Sequence, residues 1–280
     1  VQTTVSTRLS DDELRSTALK LRRRVIDMLW HSQAGHPGGS LSAAEILTVL
    51  FFRELRIDPS RPDWGERDRF VLSKGHAAPI YYATLMERGY FPADMLETYD
   101  EIDSCLQGHP DCTTPGVDMP SGSLGQGLSA GIGMALGARL RDLPSRVYVV
   151  LGDGELQEGQ IWEAAMAAPN FGLDRLTAVV DANDVQLMGR CDDIMCLGSV
   201  ADKWRAFGWH VLEVDGHDVT ALGDAFDEAR EHADVPSAVI ARTVKGKGVS
   251  FMEGTHKWHS GQVTDEVRQK ALAELVAGEV

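Results

Sequence analysis

The stretch that most restricts what this chain can become runs from Val147 to Asp184. Val147-Tyr148-Val149-Val150-Leu151 is a short apolar, β-branched run, the pattern of a strand buried on both faces. It ends on Gly152-Asp153-Gly154, where glycines permit a tight turn and leave a carboxylate at the strand's C-terminal end. The segment from Glu155 to about Ala168, rich in Ala, Glu and Met, reads as a helix. A second buried strand, Leu176 to Val180, runs into Asp181-Ala182-Asn183-Asp184. Two parallel strands joined by one helix bring Asp153 and Asn183 to the same edge of a sheet. That edge is where open α/β sheets bind ligands.

The chemistry of the pair narrows the ligand. A carboxylate and an amide oxygen are hard donors that suit Mg²⁺ or Ca²⁺, and two side chains cannot close an octahedral shell. Phosphate oxygens are the usual completion, and a helix N-terminus beside a glycine-flanked Asp lets an anion approach the backbone. The stretch therefore predicts a metal–diphosphate site. Gly-Asp-Gly by itself is a common loop; the strand–turn–helix–strand–Asn order is what makes it specific.

The chain has 280 residues, 43% of them hydrophobic, enough for a sizeable core. The alternation of buried strands and helices predicts an α/β fold: a doubly wound, mainly parallel sheet with helices on both faces, read as a single domain over residues 1–280. A formal net charge of −15 argues against a nucleic-acid partner. No segment is long and apolar enough for a membrane span, and Val1 to Ser10 lacks the apolar centre of a signal peptide. Cys105, Cys112, Cys191 and Cys196 fit no common zinc spacing and read as reduced thiols, which makes the expected location cytoplasmic.

Around this centre the chain carries several His-bearing loops. Ser10-Asp11-Asp12-Glu13 is a capping box that opens a helix with Leu14, Ala18, Leu21, Val25 and Met28 on one face. Lys20, Arg22, Arg23 and Arg24 read as a solvated face. Gln33 to Ser40 sets His36 between Gly and Pro residues, in a turn able to hold the imidazole against a ligand. Ser42-Ala43-Ala44-Glu45 reads as a second capping box, opening a helix to about Glu54. Arg69 to Ser73 is a strand; it runs into Lys74-Gly75-His76, which places His76 at a helix N-terminus within reach of a phosphate. His109 lies in a Gly-His-Pro loop, and Gly122-Ser123-Leu124 precedes a glycine-punctuated helix, Leu128 to Arg141. Gln186 to Gly198 reads as a loop closing over the diphosphate. Strands are expected at Trp209 to Val214 and Ser237 to Ala241, with a helix at Val219 to Ala233, and His210 and His217 read as structural. The Gly- and Lys-rich tail from Thr243 to Gly261 reads as a mobile loop that meets anions, with His256 and His259 in it, and Val263 to Val280 as a closing helix.

Taken together, these motifs resemble the thiamine-diphosphate enzymes, and more narrowly the N-terminal half of transketolases, over about Leu14 to Gly261. Gly-Asp-Gly-Glu-Leu-Gln-Glu-Gly-Gln-Ile-Trp-Glu-Ala carries the resemblance, with Asn183 about thirty residues after Asp153. Gly-Ser-Leu-Gly-Gln-Gly at residues 122–127 is similar to the subgroup encoded as two chains. The resemblance implies that thiamine diphosphate is held through Mg²⁺, with Ca²⁺ or Mn²⁺ as substitutes, by Asp153, Asn183 and the carbonyl of Val185. It implies that Gly152, Gly154 and Glu155 belong to the cofactor motif, that His76 contacts the diphosphate, and that Gly122, Ser123 and Leu124 pass over the cofactor's middle. His36 would touch the sugar and His109 line its channel. His259, preferred over His256 despite the inserted Ser260, would move a proton. Glu158 would join an acidic network linking two active sites.

The implied activity is transfer of a two-carbon ketol unit from a ketose or ketose phosphate to an aldose or aldehyde. The implied partner is a second chain carrying the pyrimidine-binding domain, in an α₂β₂ assembly. Two alternatives stand beside it: a component passing the two-carbon unit to a carrier-protein or lipoyl thiol, and a non-catalytic scaffold subunit.

Overall fold

The structure, a computed structural model, describes residues 8–277. The first seven residues of the predicted polar N-terminus and the last three of the predicted closing helix lie outside the described residues. Asp11–Ser32 forms α1, followed by α2 (Pro37–Ser42), α3 (Ala44–Val49) and a π turn (Leu50–Glu54). Strand β1 (Arg69–Leu72) leads through a 3₁₀ turn into α4 (Ala78–Arg88), and a long loop reaches α5 (Gly127–Leu140). Then come β2 (Val147–Gly152), α6 (Gly159–Asn170) and β3 (Leu176–Ala182). A small hairpin, β4 (Val185–Gln186) and β5 (Gly189–Arg190), precedes α7 (Cys191–Met195) and α8 (Val200–Ala206). The chain closes with β6 (His210–Asp215), α9 (Val219–Glu231), β7 (Ser237–Arg242) and α10 (Asp265–Ala277).

Five strands pair in parallel in the order β1-β2-β3-β7-β6. The central strands are buried on both faces, and alternate residues feed two separate cores. Tyr148, Val150, Val179 and Val239 face α1, α3, α4 and α9, while Val149, Leu151, Val180 and Ile240 face α5, α6 and α8. Strand order advances from β1 to β3, jumps to the far edge at β6 and returns at β7. The crevice outside the carboxyl ends of β3 and β7 is thus the topological switch point, where doubly wound folds bind ligands.

The Ser10 capping box is present as expected, with Glu13 Oε2 accepting from the Ser10 amide at 2.8 Å. Several expectations need correction. The helix expected from Glu155 starts only at Gly159; Gly154–Gln157 is a 3₁₀ turn and Glu158 is extended. The cause is Glu155, whose buried carboxylate turns back to accept from the amides of Gly152 at 3.0 Å and Gly125 at 2.9 Å and from Ser73 Oγ. The expected second capping box is not one. Pro37 already starts α2, a position its fixed φ favours. Ser42 Oγ instead donates to Asp181 at 2.7 Å. Glu45 holds Arg22, which is buried rather than solvated, through two bonds of 2.5 and 2.6 Å. The expected loop after Asn183 contains the hairpin and α7. The tail after Thr243 is bolted down, with Val249 and Met252 in the core and Gly246 donating its amide to the Gly38 carbonyl at 3.0 Å. No helix among the described residues is long and apolar enough to cross a membrane.

Candidate active site at the carboxyl edge of the sheet

Asp153 follows β2 directly and Asn183 follows β3. The parallel register pairs Gly152 with Asp181, so the two tips are neighbours. A cavity of about 360 Å³ opens over them. Its wall includes Asp153, Asn183, Val185, His76, Lys245 and His259. The tight turn expected of Gly-Asp-Gly is achieved without unusual backbone: Asp153 has φ −64° and ψ −43°, and neither glycine has positive φ. Gly154 is favoured by space instead, since a Cβ there would sit 3.0 Å from Gln186 Cβ, a tight contact.

Asp153 is 5% exposed and accepts from the backbone amides of Gly154 at 2.7 Å and Asp184, with the Cys191 thiol also hydrogen-bonded to it. Burial, reinforced by the negative charge of Asp181, pushes its carboxyl up to about 6. Asn183 Oδ1 accepts from the Val185 amide at 3.2 Å, and the Val185 carbonyl accepts from Lys245 Nζ at 2.8 Å. Carboxylate, amide oxygen and carbonyl oxygen are hard donors at one tip, and the buried carboxylate has no cation hydrogen-bonded to it among the described residues. That donor set fits a divalent cation with further oxygen ligands from an anion.

Beneath lies a group that motif reading passed over. Asp181, fully buried, accepts from Lys74 Nζ, Thr243 Oγ1 and Ser42 Oγ. Burial alone would raise its carboxyl, but Lys74 and these hydrogen bonds outweigh that and hold it below the ordinary range. Lys74 Nζ also donates to the Gly39 carbonyl at 2.9 Å, tying the His36 loop to β3. Lys245, only 3% exposed, is a second missed residue; burial and the nearby Lys74 charge pull its ammonium down to about 8. The clue in the sequence was a Lys shortly after each of two buried strands, and periodicity cannot say that such a side chain turns inward.

Four loops deliver four imidazoles. Ring centroids lie 5.6 Å apart for His36 and His76, 5.6 Å for His36 and His259, 6.0 Å for His36 and His109, and 5.0 Å for His76 and His259. Glycine lets the loops meet: Gly122, at φ +144°, would place a Cβ 3.0 Å from the His109 ring, and one at Gly75 would sit 2.6 Å from the Gly122 amide. Burial, aided by neighbouring positive charge, drops His36 to about 4 and His259 to about 3, and sets His76 well below its usual value. These three rings are neutral at pH 7. His36 Nδ1 is buried without a partner among the described residues. His259 Nδ1 lies 3.1 Å from Lys245 Nζ, whereas His256 is exposed and outside the group.

The remaining expected site residues divide. Gly122, Leu124, Gly152 and Gly154 line the cavity; Ser123 is exposed and off its wall. Glu155 lines it, yet its oxygens brace three loops as described above. Glu158 is exposed on the rim. His217 is structural as expected, bridging Glu45 at 2.9 Å and the Val244 amide at 2.8 Å.

A doubly wound parallel sheet with this oxygen set and ring of neutral histidines at its switch point is the framework of an α/β protein that binds a diphosphate cofactor. Residues 14–274 match the family described as transketolase, thiamine diphosphate binding domain. The chain belongs to that family. It is 45% identical to the 6-deoxy-6-sulfo-D-fructose transketolase subunit SqwG of Clostridium sp. (strain MSTE9), over 94% of this chain and 96% of that one. It is 43% identical to an apulose-4-phosphate transketolase subunit of Actinobacillus succinogenes, over 95% and 97%. Among solved structures, the transketolase of Leishmania mexicana superposes with a TM-score of 0.89 at 30% identity, covering 96% of this chain. This chain spans 42% of that transketolase, so the match is to one part of a longer polypeptide.

Proposed function

We propose that this chain is the thiamine-diphosphate-binding subunit of a two-chain transketolase-type enzyme, moving a two-carbon ketol unit from a ketose or ketose phosphate to an aldehyde acceptor. The observation that carries this is the gathering of His36, His76, His109 and His259 into one cluster, of which His76 and His259 line the cavity over the Asp153–Asn183 tip. The relatives that match along nearly their whole length are named as subunits, which supports a separate partner chain carrying the rest of the site; the assembly we propose is α₂β₂. All of residues 1–280 are read as one cofactor domain.

Asp153, the Asn183 side-chain oxygen and the Val185 carbonyl would hold Mg²⁺, and His76 and Lys245 would face the diphosphate's negative charge. When bound, thiamine diphosphate supplies the carbon nucleophile and electron sink for breaking and making the C–C bond. The chain's own residues bind, orient and move protons. A neutral imidazole at pH 7 can take a hydroxyl proton; His36 and His259 are both neutral, His259 on the cavity wall and His36 with its ring centroid 5.6 Å from that of His259. His36 has a buried ring nitrogen with no partner among the described residues, so a substrate hydroxyl there would satisfy it. Glu158, exposed on the rim, would meet another protein chain rather than the substrate.

Titration calorimetry with Mg²⁺ and thiamine diphosphate, followed by a donor–acceptor screen of the complex with its partner, tests the reading. Metal-dependent cofactor binding together with ketol transfer to an aldehyde is the expected result. Transfer only to a carrier thiol would replace it with the carrier-linked alternative, and no cofactor binding in the complex would leave a scaffold.

A further inference from the structure

The opposite ends of the strands carry a feature that the cofactor site does not use. A cavity of about 320 Å³ opens where β1 and β2 begin, large enough for a small metabolite. Arg8, Arg53, Arg56, Arg146 and Arg230 line it, brought together from distant parts of the chain. The whole sequence has 42 acidic against 27 basic residues, so this convergence runs against the general charge. Every cation on the wall is arginine, whose planar fork matches phosphate oxygens two at a time.

The acids nearby are already engaged. Glu54, its side chain fully buried, binds Arg53 and Arg230, each at 2.5 Å. Asp227 binds the same two arginines, at 2.7 Å to Arg53. Asp68 accepts from the backbone amides of Arg56 and Arg146, each at 2.8 Å. Arg53 and Arg230 are therefore braces. Three guanidiniums are left with donors to spare among the described residues, because each carries five N–H groups. Arg8 comes no closer than 4.0 Å to Asp227. Arg146 gives one nitrogen to the Arg230 carbonyl at 2.7 Å, and Arg56 gives one to the Glu66 carbonyl. Among the described residues, five guanidiniums against the carboxylates of Glu54, Asp68 and Asp227 leave two positive charges uncompensated. Trp64, with Arg56 and Arg61 against its ring at 5.3 and 5.0 Å, adds an aromatic wall.

We propose that this cavity is a second anion site, built for a small phosphate monoester with an organic body, and that Arg8, Arg56 and Arg146 grip its phosphoryl group. A phosphate monoester carries close to two negative charges at pH 7, which matches the surplus. The organic body lies against Trp64.

The test is calorimetry of the full chain in metal-free, low-salt buffer with inorganic phosphate, ribose 5-phosphate and adenosine monophosphate as probes. At least one monoester is expected to bind tenfold or more tightly than inorganic phosphate. The pair of changes Arg56→Gln and Arg146→Gln should weaken it tenfold or more. Arg8→Gln, at a half-exposed side chain with only a 4.0 Å ion pair to lose, should fold normally and weaken it several-fold. Asp153→Ala should leave it unchanged. No saturable binding of any probe, binding that survives both arginine tests, or binding lost in Asp153→Ala would overturn the site. Monoesters binding no better than inorganic phosphate would overturn the organic-body part.

Discussion

Asp153 and Asp181 stand at the tips of neighbouring strands and are both buried, yet their surroundings are opposite. Asp181 is clasped by an ammonium and two hydroxyls and held below its ordinary range. Asp153 has two amides and no bonded cation among the described residues, and is pushed up to about 6. One carboxylate is finished by the protein itself; the other is left for something to be brought in. The contrast teaches where to look: within one sheet edge, the incompletely compensated charge is the proposed binding position and the compensated one belongs to the scaffold.

The comparison breaks first at Asp153. Asp153→Ala is expected to lower activity of the assembled enzyme by about three orders of magnitude or more and abolish Mg²⁺-dependent cofactor binding, as metal-ligand loss does. Asp153→Asn removes a buried charge but leaves one of the two amides facing an NH2 group, so the stability of the metal-free chain at pH 7 should stay within about 1–3 kcal/mol of the parent. Unchanged cofactor affinity in calorimetry, or a large loss of stability in urea, would erase the distinction between the two aspartates.

The converse change is Lys74→Met, which strands Asp181 without its cation. It should cost about 3–5 kcal/mol in urea denaturation, the usual penalty for breaking a buried pair from one side. A loss below about 1 kcal/mol would mean that the two hydroxyls suffice.

Glu45 sharpens the point through pH. Burial would raise its carboxyl, but Arg22 and His217 outweigh that and hold it at about 2. A depressed folded value means stability that is present above the unfolded value near 4.5 and lost as pH falls from there toward 2. The amount is about 3 kcal/mol. Glu45→Gln should flatten the stability curve in that window; a curve that keeps its slope would place the acid sensitivity elsewhere.

The smallest contrast is between two histidines three residues apart. His259→Ala should slow turnover by about 10²-fold, the range of one acid–base group, whereas His256→Ala should fall within about twofold. The reverse order in steady-state kinetics would move the site to the exposed ring.

The local pattern was enough for the strands and for bringing Asp153 and Asn183 to one sheet edge. All five expected strands are present: β2, β3 and β7 announce themselves as continuous apolar runs because burial on both faces leaves few alternatives, while the edge strand β6 shows as alternation. The Ser10 box was legible for the same local reason. What the sequence could not convey is where a long polar side chain turns once the sheet closes. Lys74, Lys245 and Arg22 read as charges in loops or on a solvated face, and tertiary packing buried each against a specific acceptor. Ser42 looked like a cap by its spacing, but Asp181, distant in sequence, won its hydroxyl. The order of strands and the meeting of four separate histidine loops are set by long-range packing, which no window of neighbouring residues contains.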